Sequence, residues 1–314
     1  SLLGRIRENH LLPFSFREYL LFKFQNEETL IRHVENFRRW RTKLAGVPTT
    51  TDFDSLKHAW NALWNQYSTQ VETLFEEYLL MGGFPEVWEM DPQRRQEYLW
   101  DNQVKKVIFE DLAVATPFRK PRNIARFYVY LTARPGDEIR VDKVASEIGA
   151  SRLMLEKYIP LLEMTDLVKT VPKFSKKPLR RKRTGFKVYL VDLAIYNAVM
   201  KLTADDLRDS QRLGKMAENV VFRTLFPWRE SVELTYYRER QEEIDFIVTL
   251  GPNRFLPIEV KFRTKGVGTD YLLRFIEGFR QPLGIQITKQ QTIEWRPPIL
   301  FLPLPAFLLL ADSD

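Results

Sequence analysis

The chain has 314 residues, 44% hydrophobic and 28% charged, with no cysteine, three histidines and a formal net charge of +7. The length points to two or three domains with real apolar cores. The composition excludes disulfides, zinc–thiolate sites and cysteine nucleophiles, and it fits a reducing, cytoplasmic setting. His10, His33 and His58 lie together near the N-terminus without ligand spacing, which counts against a histidine-bound zinc and a Ser/His/Asp triad.

Residues 1–115 read as a helical region. Ser15 stands where an N-cap belongs, before the helical spacing of Phe16, Tyr19 and Leu20. Leu74, Tyr78, Leu79 and Met81 form an apolar face that stops at Gly82-Gly83, and Phe84-Pro85 turns the chain. Val104, Val107, Ile108 and Leu112 resume the helical pattern. The tryptophans at 40, 60, 64, 88 and 100 read as core anchors. The Pro- and charge-containing run 115–123 is a joint.

Residues 120–204 follow the order of a winged helix-turn-helix. A short helix is expected over 141–148, a turn at Gly149-Ala150-Ser151, and a longer helix carrying Leu155, Tyr158 and Leu162. Strands are expected over 167–171 and 186–191. Between them lies the basic run: Lys173, Lys176, Lys177, Arg180, Arg181, Lys182, Arg183 and Lys187 bring eight positive charges with no acid, and the rest of the chain sums to −1. Charge this local points to a polyanion surface, here double-stranded DNA held mainly by phosphate. Ser151 and Arg152 open the helix that would reach the groove. A protein-binding winged helix is the alternative.

Residues 205–314 read as α-β-β-β-α-β. A helix over 215–225 carries Glu218. Strands follow over 233–238, 244–250 and 256–263, then a helix over 271–279, a strand over 283–288, and a final strand and short helix. Asp245 and Glu259 each sit inside a run that otherwise reads as buried strand, where a charge needs a partner or a metal. Glu259 and Lys261 are two apart and so share a strand face. Carboxylates and a lysine gathered at strand ends can hold Mg²⁺ or Mn²⁺ and activate water for phosphodiester attack. The apolar run 299–311 is too short and too broken by Pro303 and Pro305 to span a membrane.

With Glu218, Asp245 and the Glu259-Val260-Lys261 triplet in this order, residues 205–300 resemble the PD-(D/E)XK restriction-endonuclease-like nucleases. Ile244 stands where the family's proline would. The whole α/β chain resembles the C-terminal half of prokaryotic, archaeal-type AAA ATPases that append a winged helix and such a domain. Its matching segments are Gly4-Arg5-Ile6, Leu12 to Tyr19, Gly82 to Val87, Lys187 to Asp192, Glu218 to Val221 and Glu243 to Val248. The resemblance implies Glu218, Asp245, Glu259 and Lys261 as catalytic residues, with Asp245, Glu259 and Glu218 as metal ligands. It also implies an ATPase core as partner. No G-x-x-x-x-G-K-[ST] occurs here, so ATP is expected only through that core. A catalytically silent DNA- or partner-binding scaffold of the ATPase is the alternative, and so is a defence-type ATPase remnant. Oligomeric state is left open.

Overall fold

The computed structural model describes residues 11–38, 40–111, 121–175, 185–230, 232–240, 242–263 and 268–310. Ser15 opens the first helix, Phe16–Lys23, through a capping box: its backbone N–H donates to the Glu18 carboxylate at 2.7 Å, and its hydroxyl accepts from the Glu18 N–H. Helices Glu28–Glu35 and Trp40–Ala45 follow, and then the long helical segment Thr50–Met81, which is kinked at Tyr67 (φ −130°, ψ 19°). Trp40, Trp60 and Trp88 are buried, while Trp64 and Trp100 pack on the core from its rim.

The long helix ends at Gly82 because that position has a φ of 69° and no room for a side chain. A Cβ there would stand 1.9 Å from Asp192 Oδ1. Asp192 caps helix Leu193–Met200 by accepting from the Ala194 N–H at 2.8 Å, and it also accepts from the Gly83 N–H at 2.7 Å. The Gly-Gly turn and the acid after the 186–190 strand are thus one joint. Burial pushes the Asp192 carboxyl up to about 6, against the two backbone donors that pull it down.

The middle segment forms a small antiparallel sheet of β1 (Glu138–Ile139), β2 (Val168–Pro172) and β3 (Phe186–Leu190), in the order β1-β3-β2. Helices Val141–Ile148 and Arg152–Met164 pack beside it, with Gly149 left-handed between them at φ 68°. The C-terminal sheet contains β4 (Glu233–Glu239), β5 (Glu242–Gly251), β6 (Arg254–Lys261), β7 (Gly284–Thr288), β8 (Glu294–Arg296) and β9 (Ile299–Pro303), in the order β4-β5-β6-β7-β9-β8. The β6–β7 and β7–β9 pairs are parallel and the rest antiparallel. β1 and β8 are additions to the elements expected. Helix Ser210–Leu225 packs against β3 and β6, and helix Asp270–Gly278 against β5, β6 and β7.

One hydrophobic core runs through all three segments. The long N-terminal helix braces the far edge of the large sheet, where Trp60 Nε1 donates to the Gln291 carbonyl at 2.7 Å and Phe53 stacks on Trp295. β2 continues onto the large sheet: the Phe174 N–H donates to the Tyr236 carbonyl at 2.6 Å, and the Phe174 ring meets Phe255, Phe275 and Phe279. The architecture is mixed α/β, with a helical N-terminal region and a C-terminal mixed sheet. Among the described residues no helix is long and apolar enough to cross a membrane.

Candidate active site

The site forms where β5 and β6 part. Their backbone ladder ends at Phe246↔Ile258. One step further, the Asp245 carboxylate replaces it, with Oδ2 accepting from the Val260 N–H at 2.8 Å. That bond fixes a buried acid over the Glu259-Val260-Lys261 triplet. Glu259 is 5% exposed, and its Oε1 is paired with the Lys261 ammonium. Its Oε2 is buried and finds no hydrogen-bond partner among the described residues. In the parallel ladder to β7, Glu259 stands beside Gln286 and Lys261 beside Thr288.

Facing Asp245 from the small sheet is Lys187. It was expected in the phosphate-binding wing, and the structure corrects this: its side chain is 2% exposed and its ammonium lies among acids. It is 2.7 Å from Glu218 Oε1 and 3.2 Å from Asp245 Oδ1, and it also pairs with Glu243. The physical reason is that both faces of β3 are covered, one of them by helix Ser210–Leu225, so a charge there must meet counter-charges. Tyr189, two residues on, donates to the same Glu218 Oε1 at 2.5 Å. Arg238 extends the alternation by pairing with Glu243 at 2.7 Å and with Glu138. The Gly136 turn, at φ 79°, closes over Glu218, where a Cβ would come within 3.0 Å of its carboxylate. The next residue, Asn219, clamps β3 to the helix by accepting from the Leu190 N–H at 2.9 Å and donating to the Leu190 carbonyl at 3.0 Å.

Burial, and after it the charge of Asp245, pushes Glu218 up to about 7 and Glu259 up to about 8. Lys187 and Lys261, respectively, pull the other way. Burial alone would lower Lys187, but Glu218, Asp245 and Glu243 outweigh it and hold the ammonium charged well above its ordinary range.

These positions bear on a divalent metal in two ways. The buried unpaired oxygen of Glu259, with Asp245 beside it and the Val260 carbonyl on the same strand, is an all-oxygen donor set of the kind Mg²⁺ and Mn²⁺ prefer. The three-acid set including Glu218 is not assembled. Lys187 bridges Glu218 and Asp245, and among the described residues no group of three or more acidic or histidine side chains stands together as a metal site.

Of the other residues expected to contact nucleic acid, Ser151 and Arg152 are exposed at the start of helix Arg152–Met164, where Ser151 caps the Met154 N–H. Arg152 is paired with Asp142 at 3.1 Å and Glu156 at 2.8 Å. Lys173 is exposed at the end of β2. Lys176, Lys177, Arg180, Arg181, Lys182 and Arg183 lie outside the described residues, as do Gly4-Arg5-Ile6. The sequence reading missed Glu243, Tyr189, Gln286 and Thr288. A signal existed for the last two: in Gly284-Ile285-Gln286-Ile287-Thr288, polar residues alternate with isoleucines inside a fully buried strand.

Comparison with known proteins places two families on this frame. Residues 72–206 match a domain of unknown function (DUF8612), and residues 213–307 match a second domain of unknown function (DUF4143). The second is a domain found in AAA-ATPase-associated proteins. The chain is also similar to the uncharacterized protein MJ1544 of Methanocaldococcus jannaschii, with 22% identity over 263 residues, covering 82% of this chain and 50% of that protein. The chain therefore spans about half the length of the curated relative it matches. No solved structure matches it.

Proposed function

We propose that the chain is the DNA-binding, nuclease-like part of an AAA-type ATPase and cleaves phosphodiester bonds with Mg²⁺ or Mn²⁺. In this reading residues 205–314 are a PD-(D/E)XK domain and residues 120–204 a winged helix. The observation that carries it is the unpaired, buried Glu259 Oε2 beside Asp245 on one side and Lys261 on the other. Asp245, Glu259 and the Val260 carbonyl would hold the metal, which when bound supplies charge neutralisation at the scissile phosphate. Lys261, the most exposed of these side chains, orients the attacking water and meets the charge that grows on the phosphate oxygens. Glu218 and Lys187 hold Asp245 from behind. Ser151, Arg152 and Lys173 present donors and positive charge to the DNA backbone.

The test is incubation of the chain with supercoiled, linear and four-way-junction DNA, with Mg²⁺, with Mn²⁺ and with EDTA, beside a Glu259→Ala/Lys261→Ala variant. Metal-dependent cutting that disappears in the variant is expected. Equal cutting by parent and variant would overturn the assignment.

A second reading has its own observation. Lys187 supplies a fixed positive charge amid Glu218, Glu243 and Asp245, which is how a nuclease-like fold kept as a scaffold would neutralise its acids without metal. Salt-dependent DNA binding with no cutting under either metal would establish it.

A further inference from the structure

The large sheet buries polar groups that nothing described so far uses. Gln286 on β7 is 0% exposed, and neither its Nε2 nor its Oε1 has a hydrogen-bond partner among the described residues. Thr288, 3% exposed, leaves its Oγ1 equally unpaired. On the opposite face of the same strand Ile285 and Ile287 are apolar and fully buried. Replacing such groups by apolar ones of similar shape is nearly neutral or stabilising, so an unpaired amide and hydroxyl side by side call for a use.

Their placement supplies one. Gln286 is the ladder partner of Glu259, and Thr288 that of Lys261. Adjacent strands lie about 4.8 Å apart and alternate residues share a face, so all four side chains stand on one patch. The unpaired atoms are complementary: Thr288 O–H can donate to Gln286 Oε1, and Gln286 N–H can donate to Glu259 Oε2. A glutamine side chain spans the distance between neighbouring strands, and rotation about its own bonds or one bridging water closes each pair.

We propose that Gln286 is a positioning residue of this site, aiming the free Glu259 oxygen through its amide, and that Thr288 fixes the orientation of that amide. The proposal rests on the metal-site reading for its purpose but not for its geometry. Held this way, Glu259 presents a single carboxylate orientation to a cation. The arrangement has the form of an outer hydrogen-bond shell, whose loss lowers metal affinity without touching a ligand.

Two measurements decide it. The first needs no metal: the Gln286 side-chain amide resonances of the isotope-labelled chain are followed by NMR in EDTA. They are expected to move in both Thr288→Val and Glu259→Gln and to stay in place in Thr288→Ser. Resonances indifferent to Thr288→Val and Glu259→Gln would overturn the proposal. The second is Mn²⁺ titration calorimetry. Gln286→Met is expected to weaken binding by about 10–100-fold while the melting temperature holds or rises. Thr288→Ser should bind as the parent does. Unchanged Mn²⁺ affinity in Gln286→Met would overturn the role. If the parent binds no Mn²⁺, the metal reading fails by that result, and the NMR arm still decides whether the hydrogen-bonded chain exists.

Discussion

Two clusters of buried polar groups meet around Asp245, and they are built on opposite principles. Around Lys187 every strong charge is answered: Glu218, Glu243 and Asp245 share one ammonium, Tyr189 and Arg238 complete the ring, and the Val260 N–H takes the last Asp245 oxygen. Along Glu259, Gln286 and Thr288, a few ångströms of sheet away, four polar atoms have no partner. Charges answered by counter-charges hold their elements rigidly, whereas unpaired buried groups carry a cost that a hydrogen-bond partner or a ligand relieves. The contrast divides the acids of the site into those that hold the two sheets together and those free to act.

The largest effect should come from breaking the paired cluster. Lys187→Met leaves three carboxylates facing one another without their cation, and removing one member of a buried pair typically costs about 3–5 kcal/mol. Urea unfolding at pH 8 should show that loss. At pH 5 the loss should shrink, because Glu218, already raised by burial and by Asp245, is then protonated in the folded variant. A loss below about 1 kcal/mol at pH 8 would mean that the cluster is not what joins the sheets.

The unpaired row should behave in the opposite sense. Burial and Asp245 raise Glu259 to about 8 in the folded chain, from 4.5. Between those values the unfolded chain has released the proton and the folded chain has not, so stability falls as pH rises through the interval. Glu259→Gln cannot ionise and escapes that fall. In EDTA it should match the parent near pH 4 and exceed it at pH 8 by on the order of 2 kcal/mol. A variant less stable than the parent at pH 8 would show that Glu259 is a structural acid like Glu218, and the division between the clusters would dissolve.

Where the sequence could be read and where it could not follows the same division. Periodicity and caps place helices 16–23, 141–148 and 152–164 and the end of helix 50–81, since each depends on residues within a few positions of one another. The Glu259/Lys261 pairing is legible for the same reason: two residues on one strand share a face. Lys187 is not legible. Its place among eight basic residues marks it as surface charge, and only the docking of β3 against helix 210–225, sealed by Asn219, turns it inward. Gln286 is half legible, because a polar residue between isoleucines is visible in the chain, but its neighbour Glu259 is fixed by a parallel crossover that no local pattern specifies.

A third kind of charge, outside both clusters, gives the smallest effect on the fold and the sharpest test of the proposed DNA surface. Arg152 pairs with Asp142 and Glu156 at the exposed start of its helix. Exposed pairs of this kind are screened by solvent and contribute little, so Arg152→Ala should leave the unfolding midpoint nearly unchanged. If the guanidinium leaves those acids for a phosphate when DNA arrives, the same variant should reduce the slope of log K against log salt by about 1, uniformly across DNA sequences. Lys173→Ala, at the end of β2, should do likewise. An unchanged slope in Arg152→Ala beside a reduced one in Lys173→Ala would confine the DNA surface to the hairpin side and leave the 152–164 helix to pack, not to read. A reduced slope in both would place the duplex across the helix and the hairpin together, as a winged helix-turn-helix requires.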